Sequence, residues 1–217
     1  MSLATAMKAN YFSHLDYVDL DAGKGVITSR SGTRLVAFPF EFTLGLLESL
    51  EDECGQAWPV VLYKCGEWWG RRQMQRYEKE LSAYYGSALE ELPTAHVHAS
   101  LVEAWGTQGW GKLSFELNNI KQGLIYAQVS DTPFAEVFAK SGRDAKGMPI
   151  DHLAAGALAG MFSHASNSAI AAHEISCVAR GDANCTFVLG LSERLNEVPN
   201  WVKKGTSKDD IQAQLKQ

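Results

Sequence analysis

The sequence predicts an α+β domain, an antiparallel sheet packed against a helical layer. Three observations predict it: short strand-like runs near the amino terminus, long one-sided helical stripes in the middle, and two strand-like runs after a small-residue helix. With 217 residues, 46% apolar and 21% charged, the chain can bury a full core without disulfide or metal staples. The expected organisation is a single ligand-binding domain over 1–200 and a polar, flexible tail over 201–217.

The elements follow in order. Leu15 to Leu20, Gly25 to Ser29 and Leu35 to Phe40 read as short strands, with a turn cluster at Asp21 to Gly25 and Pro39 interrupting the third. Phe42 to Leu50 switches to helical spacing, Phe42, Leu46, Leu47 and Leu50 sharing a face. A long helix is expected from Ala57 to Tyr85, with Pro59 tolerated in its first turn. Its first stripe is Trp58, Val61, Leu62, Cys65, Trp68 and Trp69, and its second is Met74, Tyr77, Leu81 and Tyr84. The second is rotated by roughly a third of a turn, so the helix bends near Gly70 or changes packing partner there.

Pro93 and Thr94 open the next helix, whose apolar face carries His98, Leu101, Val102 and Trp105 and which ends among Gly106, Gly109 and Gly111. Lys112 to Leu117 and Gly123 to Val129 are strand-like, joined by Asn118 to Gln122. Thr132 and Pro133 start a brief helix that stops before Gly142. Ile150, Leu153, Ala154, Ala157, Leu158, Met161 and Phe162 then form one helical stripe. Ala169 to Ala179 and Asn184 to Gly190 pair as strands across the turn formers Gly181 and Asp182.

Composition excludes several functions. A formal charge of −5 argues against a nucleic-acid-binding surface. No stretch approaches the roughly 18 apolar residues of a membrane span. Met1 to Asn10 carries one lysine and no long apolar segment, so no secretory signal is expected. Four cysteines in a chain of this size do not make a disulfide scaffold, and a reducing, cytoplasmic address is expected. Nucleophile-elbow, zinc-protease and dinucleotide-binding motifs are missing from the sequence, which favours a binding protein over an enzyme.

Three groups of residues carry chemistry. Glu174 and Cys177 lie on one strand, and the hairpin returns Cys185 beside Cys177, giving three candidate ligands for a divalent ion such as zinc. On a regular strand residues 174 and 177 point to opposite faces, so a bulge or bend is required. The alternative is a pair of reduced cysteines on a buried hairpin. His173, His152, Asp151 and His164 are candidates for a fourth ligand.

The second group is a face of the Ile150 helix on which His152, Gly156, Gly160 and His164 recur every four residues. Helical glycine costs about 1 kcal/mol relative to alanine, so something close or flat approaches: another helix, a partner subunit or a planar macrocycle with histidine on its metal. The third is aromatic. His98, with Trp105, Trp68 and Trp69, either lines a ligand pocket or belongs to the ordinary core; six tryptophans and nine phenylalanines suit a large apolar ligand.

The run Leu153-Ala-Ala-Gly156 through Gly160, then His173-Glu174-x-x-Cys177-x-x-x-Gly181-Asp182-x-x-Cys185-x-Phe187, resembles the 4-vinyl reductase domain family over 150–190. The resemblance implies a ligand-holding fold similar to TRAPP subunits and haem–nitric-oxide sensor domains, often a homodimer. It places Glu174, Cys177 and Cys185 on three zinc ligands of a sensor subgroup, whose fourth is a cysteine at the start of the preceding helix; this chain has Asp151 and His152 there. It further implies a chlorophyll-type tetrapyrrole ligand and a role in photosystem II assembly or repair, with peripheral association at the thylakoid membrane. A vinyl reductase of chlorophyll biosynthesis and a small-aromatic sensor or adaptor are the competing functions.

Overall fold

The computed structural model describes residues 9–216. The leader reading over residues 1–8 and the last residue of the tail lie outside the described residues. In chain order the elements are β1 (Val18–Asp21), β2 (Val26–Ser29), β3 (Arg34–Leu35), α1 (Phe40–Cys54), α2 (Trp58–Tyr85) and α3 (Thr94–Thr107). There follow β4 (Lys112–Glu116), β5 (Leu124–Ser130), α4 (Pro133–Lys140), α5 (His152–Ser166), β6 (Ile170–Ser176), β7 (Cys185–Leu191), α6 (Val198–Lys203) and α7 (Lys208–Leu215). Helices beside two antiparallel sheets make this the expected α+β class. No helix among the described residues is long and apolar enough to cross a membrane.

In place of one domain over 1–200, the chain forms two compact units. The first takes the chain up to Ala37 and Arg76 to Trp110; the second takes Phe38 to Gln75 and everything from Gly111. α2 changes unit after Gln75, close to where its apolar stripe rotates.

In the first unit, β1, β2 and β3 form an antiparallel meander, with Val18 opposite Ser29 and Ile27 opposite Leu35. Its core is aromatic. Phe12 packs on Tyr17 and Tyr77 with ring centroids 5.1 and 4.5 Å away, and Tyr11 packs on Tyr84 at 5.3 Å. The Arg30 guanidinium lies over the Tyr84 ring at 4.9 Å and the Tyr11 ring at 5.5 Å, a cation–π clamp.

The second unit is built on an antiparallel sheet ordered β4-β5-β7-β6. Leu124, Tyr126, Ile175 and Val188 from three of its strands pack with Leu195, Val198, Val202, Ile211 and Leu215. This corrects the expected flexible tail. α7 contributes only Ile211 and Leu215 to the core, a two-residue stripe that reads as polar in sequence, yet both are buried. The Ser207 hydroxyl caps the helix by accepting from the Asp210 N–H at 3.2 Å. The Arg194 guanidinium then ties the helix end down by donating to the Leu215 carbonyl at 2.6 Å.

α5 crosses α2 at backbone contact. A Cβ built at Gly156 would stand 2.0 Å from the Tyr63 carbonyl oxygen, and one at Gly160 2.2 Å from that of Glu67. The contact is reciprocal: Gly66 faces the Leu153 carbonyl and Gly70 that of Ala157, each at 2.1 Å from a built Cβ. Only glycine at all four positions permits this approach. A planar ring on the Gly156–Gly160 face is therefore corrected to helix–helix packing, because α2 fills the space.

Candidate functional site

Glu174 and Ser176 on β6 pair with Phe187 and Thr186 on β7, so the register shifts between them and a bulge interrupts the strand. This supplies the irregularity that the spacing of Glu174 and Cys177 requires. Beyond it the chain makes a 3-10 turn at Val178–Arg180 and a left-handed residue at Gly181, where φ is +92°. The Asp182 carboxylate closes this hairpin by accepting from the Cys177 N–H at 2.8 Å, and Ser176 donates to the Asn184 carbonyl at 2.8 Å. Cys185, opposite Val129 in the β5–β7 ladder, returns beside Cys177.

As a result the ligand atoms of Glu174, Cys177 and Cys185 lie within 4.8 Å of one another, all three residues buried. The Cys185 thiol points at the Cys177 sulfur 4.0 Å away, and the Val178 N–H donates to Cys185 Sγ at 3.5 Å. The thiol donating to it draws the Cys177 sulfur below its ordinary pKa, while Cys185, which holds the shared proton, is raised. Burial pushes the Glu174 carboxyl well above the carboxylate range, and the neighbouring Cys177 and Asp151 charges add to the shift.

Asp151 completes the surroundings. It is fully buried at the residue before α5, its N–H donates to Glu174 Oε2 at 2.9 Å, and its Oδ1 accepts from the Ala135 N–H at 3.2 Å. Burial raises its carboxyl to about 6, and the Cys185 thiol lies in hydrogen-bonding reach and opposes that rise. Two carboxylates and two thiols in a buried space offer oxygen and sulfur donors to a borderline divalent cation.

A hollow of about 370 Å³ adjoins the same hairpin, lined by Ser130, Asp131, Glu136, Ala139, Lys140, Val178 and Ala183. Val178 belongs to both features, through its side of the hollow and its N–H on Cys185. Lys140 forms an ion pair with Glu136 across one helical turn. The walls are thus small and apolar, and one side is charged.

The other residues named from sequence divide between the units. His98 and Trp105 lie on α3 in the first, where Trp105 is buried and its indole N–H donates to the Trp110 carbonyl at 2.8 Å. In the second unit, Trp68 is 63% exposed with the Arg72 guanidinium 5.4 Å from its ring, Trp69 is half-buried, and His164 sits in the last turn of α5. His152 packs edge-on against Trp58 at 5.0 Å, and His173 lies parallel to Tyr63 at 6.4 Å. Burial lowers both imidazoles to about 4, so both are neutral at pH 7. Gly66 and Gly70 were legible by the same four-residue spacing as Gly156 and Gly160, and the pocket residues carry no spacing signal at all.

Residues 133–191 match the 4-vinyl reductase domain family. The match spans α4, α5, β6 and β7, and with them every group of the buried cluster. The chain carries a 4-vinyl reductase domain. Across 92% of this chain and 98% of the other, the fold is similar to the crystal structure, with phenol, of the phenol-responsive sensory domain of the transcription activator PoxR, at 15% identity and a TM-score of 0.70. A trafficking protein particle complex subunit 3 from Naegleria fowleri, covalently bound to palmitic acid, aligns over 70% of this chain and 92% of its own, at 12% identity and a TM-score of 0.51. A vinyl-4-reductase family protein from Methanocaldococcus jannaschii aligns over 71% of this chain and 82% of its own, at 19% identity and a TM-score of 0.44. No curated protein matches the sequence.

Proposed function

We propose that the unit bearing this domain is a small-molecule-binding module, a sensor or carrier, organised on a zinc site held by Glu174, Cys177 and Cys185. The observation that carries this reading is the placement of a buried ligand triad directly behind a hollow, with Val178 common to both. A volume of about 370 Å³ falls at the small end of ligand pockets. Ala139, Val178 and Ala183 suit a compact apolar body, and Asp131, Glu136 and Lys140 suit a hydroxyl or charged group on its edge. Likeness in fold to a phenol-responsive sensory domain supports the class of ligand. Zinc in this reading is structural: it fixes the hairpin, and the hairpin shapes the pocket wall.

The test is thermal shift of the zinc-loaded protein against a panel of phenols, compact amines and carboxylates. At least one class raises the melting temperature, and Ala183→Trp, which fills the hollow, abolishes that shift while keeping the zinc. A panel without effect, together with elemental analysis that finds no zinc, overturns the proposal.

A second reading retains the chlorophyll-type tetrapyrrole and the photosystem II assembly role at the thylakoid surface. The observation favouring it is the exposure of Phe42, Leu46, Val60, Val61 and Trp68 on α1 and α2, since an apolar macrocycle or a second copy of the chain can cover such residues. Purification with chlorophyll present separates these outcomes. A retained Soret band with quenched Trp68 fluorescence supports pigment, and a homodimer in sedimentation without pigment supports self-association.

A further inference from the structure

Asp151 stands where a helix N-cap belongs, yet it does not cap its helix. It occupies the N-cap position of α5, with φ −81° and ψ 46°, and its side chain makes no hydrogen bond to the first turn. Aspartate at this position ordinarily stabilises a helix by that bond. Here the carboxylate turns away instead. Oδ1 takes the Ala135 N–H, and Oδ2 is buried without a hydrogen-bond partner. Glu174 repeats the pattern: Oε2 takes the Asp151 N–H at 2.9 Å, and Oε1 is buried without a partner. Each carboxylate is thus oriented by one backbone N–H and leaves one oxygen free, and the Cys185 thiol lies beside both of them. An uncompensated buried carboxylate oxygen costs several kcal/mol, and two of them beside two thiols mark a cation site.

We propose that Asp151 is the fourth metal ligand, completing a centre of two oxygen and two sulfur donors. The inference rests on the zinc reading above and adds a determinant of metal preference to it. Asp151 Oδ2, Glu174 Oε1, Cys177 Sγ and Cys185 Sγ supply four anionic donors, the number a closed structural zinc site requires. The backbone N–H groups of Ala135, Asp151 and Val178 act behind the ligands: each holds one donor in place, as outer partners of metal ligands do. The mixed donor set has a chemical consequence. Two oxygens make the site harder than a sulfur-rich one, so it prefers zinc over the softer cadmium more strongly than a site with a third thiolate. Asp151 is the position that sets this preference.

The experiment uses the full chain, stripped of metal and titrated with Co²⁺, then with Zn²⁺ and Cd²⁺ in competition. The wild type gives a tetrahedral cobalt spectrum with the sulfur-to-metal charge transfer of two thiolates. Asp151→Asn weakens zinc binding by more than about 100-fold, beyond the range typical of losing an outer-shell partner. Asp151→Cys keeps zinc, raises the charge-transfer intensity by roughly half, and shifts metal preference towards cadmium. Should Asp151→Asn unfold, the Asp151→Cys spectrum still decides the matter.

Zinc affinity and cobalt spectrum unchanged in Asp151→Asn, or unchanged charge transfer in Asp151→Cys, overturns the assignment of Asp151 and leaves the three-residue site standing. A wild-type chain that binds neither cobalt nor zinc removes the site itself.

Discussion

Each unit buries a carboxylate, and the two do so in opposite ways. In the first unit Glu80, with its side chain 8% exposed, accepts from the Ser31 hydroxyl at 2.5 Å and pairs with Arg76 Nε at 3.5 Å. Arg30 stands close by over Tyr11 and Tyr84. The chain brings its own cations to that carboxylate. In the second unit Asp151 and Glu174 meet two thiols and each other, and among the described residues no lysine or arginine forms an ion pair with either. A buried acid without a cation is neutralised by protons or by a metal from solution. The first cluster is complete as folded, whereas the second is poised to take a ligand.

The largest difference between the two appears on removing metal. Cys185→Ser deletes a zinc donor, so the second unit loses the stabilisation that zinc supplies, about 4 kcal/mol when zinc is present at about a thousand times its dissociation constant. Chelator produces the same loss in the wild type and no further loss in the variant. Denaturant unfolding with and without chelator, read by near-ultraviolet dichroism, checks both. Equal stability of the wild type in the two conditions would break the comparison, since the acidic cluster would then be held by its protons alone.

Acidification gives the next effect, and its sign differs with metal content. His152 and His173 fall from 6.5 to about 4 on burial, so the folded chain binds fewer protons than the unfolded one in that window. Their contribution is present above pH 6.5 and is lost as the pH falls to about 4. Asp151 runs the other way: with its carboxyl raised from 3.8 to about 6, the metal-free fold gains stability as pH falls through that range. Glu174 moves in the same direction as Asp151. The metal-free protein therefore shows a shallow pH profile, the two pairs opposing each other. Zinc holds the ligands deprotonated and removes the opposing gain, so the loaded protein loses about 3 kcal/mol per histidine by pH 4. Urea midpoints at pH 7, 6, 5 and 4, each with and without zinc, measure the divergence.

How far the sequence discloses these regions depends on how local their physics is. The α5 stripe, the β6–β7 hairpin and its Gly181–Asp182 turn are set by residues close in the chain, and all three stand where periodicity and turn chemistry predict them. The triad was legible because the short stretch 174–185 contains all its members. The bulge was legible as a requirement, since Glu174 and Cys177 cannot otherwise share a face. Asp151 was harder to weigh. It looks like an ordinary helix cap, and only burial against a strand 23 residues later exposes the other role. Ile211 and Leu215 were missed because two apolar residues in a charged helix give little periodicity, though the sheet covers both.

A single chemical change made in both units sharpens the contrast with a smaller signal. Glu80→Gln keeps the shape of the side chain and removes the charge that Arg76 and Ser31 engage. It costs the first unit about 2 kcal/mol, the range of a hydrogen bond to a charged group, with or without zinc. Glu174→Gln keeps an oxygen for the Asp151 N–H. In the metal-free protein it is nearly neutral, because burial already holds that carboxyl protonated and the amide resembles the neutral acid. With zinc present it loses a ligand, and its melting temperature ceases to respond to the metal. The pair of substitutions thus separates a carboxylate that needs its charge from one that needs it only once a metal arrives. If Glu174→Gln destabilised the metal-free chain as much as Glu80→Gln does, the second cluster would hold an internal charge network like the first, and the case for an outside cation would fall.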